Sequence, residues 1–263
     1  YDRTSLSNEA EIISRIGGAE IVVTNKTPIT RQVLVKDLAR EFEVTEDCIR
    51  KDLTALEKQG QLRRIHGGAV SVRSNFHIMK ARDRVIENVE EKTAMARKAL
   101  SLMEPGSLVF LGISSTTLQL ARLMIQENID VTVVTNMTQI LDLFAADENR
   151  QVLFIGGQLN KGRDGFVGGL AQRQIREFNF AVSFMGAVGV NLDKDAVMTY
   201  NVEDGLTKKA VMESSRRTVL FAESSKFNQD GAFIFAHVSD FDVLITGDSF
   251  TQRQAAAELT EVL

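Results

Sequence analysis

The order of apolar runs and helical stripes places this chain in the α/β class. A small helix-and-hairpin module precedes a larger domain built on a mainly parallel sheet. Three observations predict it. Beyond residue 87, six short apolar runs alternate with segments of helical period, the pattern of strands joined by crossover helices. Between residues 35 and 59, two apolar stripes at helical spacing flank a short turn. Directly after them a basic run ends in Gly67-Gly68, a tight-turn signal.

Composition narrows the classes. A chain of 263 residues holds one large domain and one small one. Apolar content of 44% and charged content of 25% are those of a soluble globular protein. The net charge of −4 excludes a uniformly basic nucleic-acid binder, so any DNA surface must be local. No apolar run reaches the roughly 18 residues of a membrane span, and no secretory signal opens the chain. Cys48 is the single cysteine and forms no internal disulfide. His66, His77 and His237 are scattered without metal-ligand spacing. The expectation is a cytoplasmic protein with no metal, no cofactor and no membrane partner.

The elements follow in order. Residues 1–31 read as a helix over 8–16, a strand over 19–24 and a turn at Pro28. Val35, Leu38, Ala39 and Phe42 then make one helical stripe. Thr45 is a good N-cap for the next helix, over 45–59, with Glu46 and Asp47 in the first turn, where the dipole favours acids. Ile49, Leu53 and Leu56 form its apolar face, and Arg50, Lys51, Thr54 and Lys58 fall off that face. Gly60 ends it, and Leu62-Arg63-Arg64-Ile65-His66 leads into the Gly67-Gly68 turn. A supporting helix, a second helix and a basic hairpin compose a winged helix-turn-helix, whose second helix enters the major groove while the wing holds the backbone. Six Lys/Arg against four acids between residues 44 and 73 give the module a modest positive excess. The residues set toward double-stranded operator DNA are Thr45, Cys48, Arg50, Lys51 and Thr54 from the helix, and Arg63, Arg64, His66 and Gly67 from the wing. Cys48 reads as a small helix residue rather than a redox switch, and His66 as a wing-turn or phosphate contact rather than a metal ligand.

The run L-V-K-D-L-A-R-E-F-E-V-T-E-D-C-I-R-K-D-L-T-A-L-E-K-Q-G-Q-L-R-R-I-H-G-G-A-V resembles the DNA-binding domain of the DeoR-type family of bacterial regulators of sugar metabolism. The resemblance extends from Val33 to about Asp248. Members of that family normally open with an apolar helix under the recognition helix. Here A-E-I-V-V-T-N-K-T-P-I-T instead resembles a piece of a D-2-hydroxyacid dehydrogenase, with no G-x-G-x-x-G after any strand, so dehydrogenase activity is unsupported. Either the helix near Ile12, Ile13 and Ile16 replaces the missing wall, or the head is a spliced-on segment. The long connection over residues 17–32 favours the second.

Residues 74–86 read as a linker whose Phe76, Ile78 and Met79 dock on the next domain. A helix over 87–103 carries Val89, Thr93, Ala96, Ala99, Leu100 and Met103 and ends at Pro105-Gly106. Strands follow over 108–111, 131–135, 151–155, 180–185, 217–222 and 242–246, and helices over 116–127, 137–146, 169–177 and 204–215. The domains are thus a head (1–31), the winged helix-turn-helix (32–73), the linker (74–86) and an α/β domain (87–263).

Ligands bind such sheets at the strand C-terminal ends. There the chain places Gly112-Ile113-Ser114-Ser115-Thr116-Thr117 at a helix start, a turn suited to an anion. Thr135-Asn136, Gly156-Gly157, Gly186-Ala187-Val188-Gly189 and Ala222-Glu223-Ser224-Ser225-Lys226-Phe227 end the other strands, and Glu203 and Lys208 flank a helix start. Several such ends on one edge favour a site of phosphosugar size. The motifs F-L-G-I-S-S-T-T-L, V-T-N, F-I-G-G, F-M-G-A, N-V-E-D-G-L-T-K and A-E-S-S-K-F resemble the DeoR-type sensor, a domain similar in fold to sugar-phosphate isomerases and Rossmann-like. The resemblance implies that Ser115, Thr116 and Thr117 cradle the phosphate, beside Ser114. It implies that Thr135, Asn136, Gly157, Glu203, Lys208 and Lys226 line the sugar side. Two departures stand out: the family usually has an acid at the position of Gly112, with glycine at Ser114, and an aspartate at Val188. Their loss argues against isomerase chemistry, which needs a positioned carboxylate.

The expected function is a repressor of a sugar-utilisation operon, controlled by a phosphorylated sugar and assembled as a dimer or tetramer. The alternatives are a phosphosugar-binding module that has lost DNA binding and a sugar-phosphate isomerase-like enzyme.

Overall fold

The computed structural model describes residues 35, 39–40, 43–58, 62–65, 68–71, 74–75, 81–248 and 250–263. It divides into two compact units, Tyr1–Ser74 and Asn75–Leu263. The expected head elements, and the docking of Phe76, Ile78 and Met79, lie outside the described residues, as do His66 and Gly67.

In the first unit, helix α1 spans Glu46–Lys58. Val35, Ala39 and Ile49 are buried together, with Leu53 packed on them, so the two predicted stripes do meet. The turn between them rests on Glu43, at φ 53°, and on the Val44 N–H, which donates to the Ala39 carbonyl at 2.9 Å. A left-handed residue closed by a bond back to the last helical turn is how helices stop without glycine. Thr45 Oγ1 then accepts from the Cys48 N–H at 3.3 Å and starts α1. Strands β1 (Leu62–Ile65) and β2 (Gly68–Ser71) pair antiparallel with Ile65 opposite Gly68. Strand β3 (Ser74–Asn75) follows.

The second unit begins with a short helix, α2 (Ala81–Ile86), in a stretch the sequence presents as linker. Helix α3 (Val89–Leu100) starts two residues later than expected and ends before the Pro105-Gly106 turn, where Gly106 sits at φ 72°. Then come β4 (Ser107–Leu111), α4 (Ser115–Gln126), β5 (Val131–Thr135), α5 (Thr138–Ala145) and β6 (Val152–Phe154). The hairpin β7 (Gln158–Leu159) and β8 (Phe166–Val167) leads to α6 (Gly169–Ile175) and β9 (Val182–Gly186). Next are β10 (Gly189–Asn191), β11 (Ala196–Thr199), α7 (Val202–Glu213) and β12 (Thr218–Phe221). A 3-10 turn (Ser224–Asn228), β13 (Gln229–Asp230), β14 (Phe233–Ala236), β15 (Val243–Ile245), α8 (Arg253–Ala257) and β16 (Glu261–Val262) complete it.

Seven strands form one sheet in the order β16-β15-β12-β9-β4-β5-β6, and every pair is parallel. The six predicted strands are all there, and β16 adds the seventh. Alternate residues serve opposite faces, as the strand period requires. Val109, Leu111, Val133, Phe184, Val219 and Ile245 join the core under α3, α4 and α5. Phe110, Val134, Met185, Leu220 and Leu244 join the core that holds Ala171, Ala210 and Phe235. A second sheet, β10-β11-β14, is antiparallel and was not expected from sequence.

Candidate effector cleft and nucleic-acid interface

From β4 the chain winds one way through β5 and β6, then returns to lay β9 on the other side of β4. The neighbouring crossovers therefore diverge between β4 and β9, and such a switch point opens a crevice at the strand C-terminal ends. A cleft of about 170 Å³ lies there. Its walls are Ile113, Ser114 and Ser115 after β4, Gly186, Ala187 and Val188 after β9, and Glu223, Ser225 and Lys226 after β12. Tyr200, Lys208, Gln229, Arg84, Glu87, Asn88 and Lys92 complete the lining. The volume is below the roughly 300–1,000 Å³ of drug-sized sites, which suits a small ligand.

Ser114 caps α4: its Oγ accepts from the Thr116 N–H at 3.1 Å. Thr117 is buried and its hydroxyl donates to the Gly112 carbonyl at 2.6 Å, which fixes the turn. Thr135 likewise donates to the Leu111 carbonyl at 2.7 Å and accepts from the Met137 N–H. Asn136 donates its amide to the Phe166 carbonyl at 2.8 Å. Gly157, at φ 159°, is held by packing, since a Cβ there would meet the Val167 carbonyl at 2.8 Å. Glu203 is exposed on the first turn of α7. Of the ten expected effector residues, Ser114, Ser115, Lys208 and Lys226 line the cleft, and Thr116, Thr117, Thr135, Asn136, Gly157 and Glu203 do not. Val188 does line it, buried, where the family resemblance leads one to expect an acid.

Four cations and two carboxylates face the cleft. Lys208 Nζ lies 2.9 Å from Asp204, which also accepts from Thr199 Oγ1. Lys92 is 3% exposed and donates to the carbonyls of Arg84 and Glu87 at 2.6 Å each. It also lies 3.6 Å from Glu223, whose Oε2 takes the Asn88 amide at 3.0 Å. Arg84 donates to Asp164 at 2.7 Å and to the Tyr200 hydroxyl, with its guanidinium over the Tyr200 ring. Burial pushes the Tyr200 phenol up to about 12, against the pull of Arg84. Lys226 forms no ion pair among the described residues. The one described hydrogen bond of its ammonium is to Gln229 Oε1, at 3.4 Å. Burial is the main cause that holds its ammonium below the usual lysine range; Glu223 opposes the shift, and the nearby charges of Arg84 and Lys92 add to it.

Arg84, Lys92, Tyr200 and Glu223 were missed as site residues. For Lys92 a signal existed: it falls on the same face of α3 as Met95, Ala96 and Ala99, where a charge needs a reason. Glu87 and Glu223 bring carboxylates to the cleft at positions other than Gly112 and Val188.

On α1, Thr45, Cys48, Arg50 and Lys51 are exposed, and Thr54 is half-buried with its hydroxyl on the Arg50 carbonyl at 2.7 Å. The Arg50 guanidinium is held by Glu46 and Asp47, at 2.7 Å each. Arg63 and Arg64 occupy adjacent positions of β1, opposite Val70 and Ala69. Among the described residues no helix is long and apolar enough to cross a membrane, and no His/Cys/Asp/Glu cluster could hold a metal.

A helix-turn-helix with a β-hairpin, joined in one chain to an α/β unit with a cation-lined cleft, defines a ligand-responsive transcriptional regulator. The DeoR-like helix-turn-helix domain matches residues 30–75, and the DeoR C terminal sensor domain matches residues 87–248. The chain belongs to the DeoR family. It is 33% identical over 214 residues to the "Uncharacterized HTH-type transcriptional regulator YulB" of Bacillus subtilis (strain 168), covering 81% of this chain and 82% of that one. It is 28% identical over 223 residues to the "Lactose phosphotransferase system repressor" of Lactococcus lactis subsp. lactis, covering 84% and 87%. Among solved structures, ribose 5 phosphate isomerase A from Neisseria gonorrhoeae overlaps 53% of each chain at 18% identity and a TM-score of 0.39.

Proposed function

We propose that this chain represses a sugar-utilisation operon in the cytoplasm, and that a phosphorylated sugar in the switch-point cleft controls its binding to operator DNA. The observation that carries the effector reading is Lys226. It is a largely buried cation beside Arg84 and Lys92, with no acid paired to it among the described residues. A dianion relieves that repulsion, and the Ser114-Ser115 turn at the start of α4 adds donors on the same rim. Glu223 is engaged rather than poised, since it is tied to Lys92 and Asn88. This supports a sensor rather than an enzyme. The relatives' names as repressors agree with that reading. The DNA side rests on Thr45, Cys48, Arg50, Lys51 and Thr54, with Arg63, Arg64, His66 and Gly67 in the wing. Dimers or tetramers follow from the need to engage repeated half-sites with avidity.

The test is a thermal-shift panel of triose, pentose and hexose phosphates beside their unphosphorylated parents. A ligand at a hundredfold excess over Kd stabilises by about 2.7 kcal/mol, a shift of several degrees. Phosphorylated members should raise the transition, their parents should not, and Lys226→Met should lose most of the shift. A panel in which nothing moves the wild-type transition sinks the effector reading.

A further inference from the structure

Arg84 lines the cleft from near the start of the second unit. It lies on α2, the first helix of the second unit among the described residues. Its guanidinium reaches Asp164 at 2.7 Å and the Tyr200 hydroxyl, and both partners are distant in sequence. Its Nε is buried and has no hydrogen-bond partner. Its own carbonyl is held by Lys92 Nζ, which also holds the carbonyl of Glu87. One buried ammonium therefore fastens the backbone of residues 84–87 to the cleft wall, and one guanidinium fastens the side chain.

Buried donors without partners are uncommon, and each one calls for a reason. Here the unused donor belongs to a residue that lines the cleft. We propose that Arg84 is a second anion contact of this site, and that through it occupancy of the cleft tightens the α2 segment. The proposal rests on the reading of the cleft as an anion site. Lys226 supplies charge from the 3-10 turn after β12, and Arg84, whose charge acts on Lys226, supplies an unused donor from the same lining. An anion between them gains a bond from Nε while the Nη atoms keep Asp164 and Tyr200. The α2 segment is then more strongly fixed with ligand than without. A ligand shifts an equilibrium only by contacts that differ between its states, and Arg84 is such a contact.

Hydrogen exchange of the full-length chain tests this with millimolar inorganic phosphate as the probe and matched chloride as control. Phosphate should slow exchange in peptides covering Ala81–Ile86 by about threefold or more while raising the melting transition. Arg84→Gln should need several-fold more phosphate for the same thermal shift, and at matched shift α2 should no longer slow. Should Arg84→Gln lack a cooperative transition, Asp164→Asn replaces it, because Asp164 holds Arg84 without lining the cleft. That variant should exchange faster in α2 without phosphate and be slowed by a larger factor with it. A wild-type thermal shift without any slowing of α2 overturns the coupling and leaves the anion site standing. Equal slowing in Arg84→Gln at matched shift, or an unchanged phosphate response in Asp164→Asn, overturns it as well. No thermal shift in the wild-type chain removes the anion site and this proposal together.

Discussion

Replacing Lys92 by methionine isolates one buried ammonium. In the native chain its Nζ donates to two carbonyls at 2.6 Å and neutralises Glu223 at 3.6 Å. Methionine fills a similar volume without a polar atom, so the packing around Met95 and Ala96 is largely kept. What changes is electrostatic. Glu223, 7% exposed, keeps the Asn88 amide and loses its cation, and the carbonyls of Arg84 and Glu87 lose their donor. Removing one member of a buried pair costs about 3–5 kcal/mol. For a unit of this size each kcal/mol moves the midpoint by roughly 2–4 °C, so the lower cost alone corresponds to a fall of about 6–12 °C. Thermal unfolding followed by far-ultraviolet circular dichroism reads this directly. The double variant Lys92→Met/Glu223→Gln should regain about half of the loss, because no charge is then stranded. A single variant within about 2 °C of wild type, or a double variant no better than the single, would refute the reasoning.

Phosphosugar affinity should rise with pH through about 6 as the phosphate becomes a dianion, and fall again on the alkaline side as Lys226 loses its proton below the usual lysine value. The folded-state value of Lys226 is depressed, so without ligand its contribution to stability improves as pH rises toward 10.5; Lys226→Met should lose both this gain and the alkaline fall in affinity. Arg50→Ala should weaken operator binding by about 1–3 kcal/mol if Arg50 reads a base, whereas Arg63→Ala should lower the salt slope by about one. Asp47→Asn should modestly tighten operator binding by loosening the hold on Arg50, an exposed contact worth at most about 1 kcal/mol, and unchanged affinity in gel-shift titrations would show that Arg50 is not held back by it. Gly189→Ala should lower the melting midpoint, since its Cβ would clash with the Gln229 carbonyl; Gly156→Ala, with open space, should not.

Much of the scaffold was legible in the sequence because strands buried on both faces read as continuous apolar runs. S-L-V-F-L and V-T-V-V-T show it: both became central strands with little shift in boundary. Strand β16 has two residues, one of them Glu261, and no pattern that short can be read. The β10-β11-β14 sheet was lost for a related reason, since its register depends on chain returns that no local period encodes. At the site, the rule that ligands sit beyond strand ends found Ser114, Ser115 and Lys226. It overreached at Thr117 and Thr135, whose hydroxyls are committed to backbone carbonyls. It could not find Arg84 or Tyr200, which join the cleft only through tertiary contacts.

The placement of β9 also bears on how the chain reaches its native state. Val109 in β4 pairs with Val133 soon after it emerges, but its other neighbour is Val182, which is made only after β5 and β6 and the elements that follow them. During synthesis the nascent β4-β5-β6 half thus carries an open, apolar edge along β4. At roughly 5–20 residues per second that edge waits several seconds for its partner. Late, non-local closure of a parallel sheet is slow and exposes aggregation-prone surface. Substitutions that slow the arrival or docking of β9 should therefore lower soluble yield more than their effect on final stability would suggest, and co-expressed chaperones should rescue them more than lower temperature rescues variants weakened only at β15.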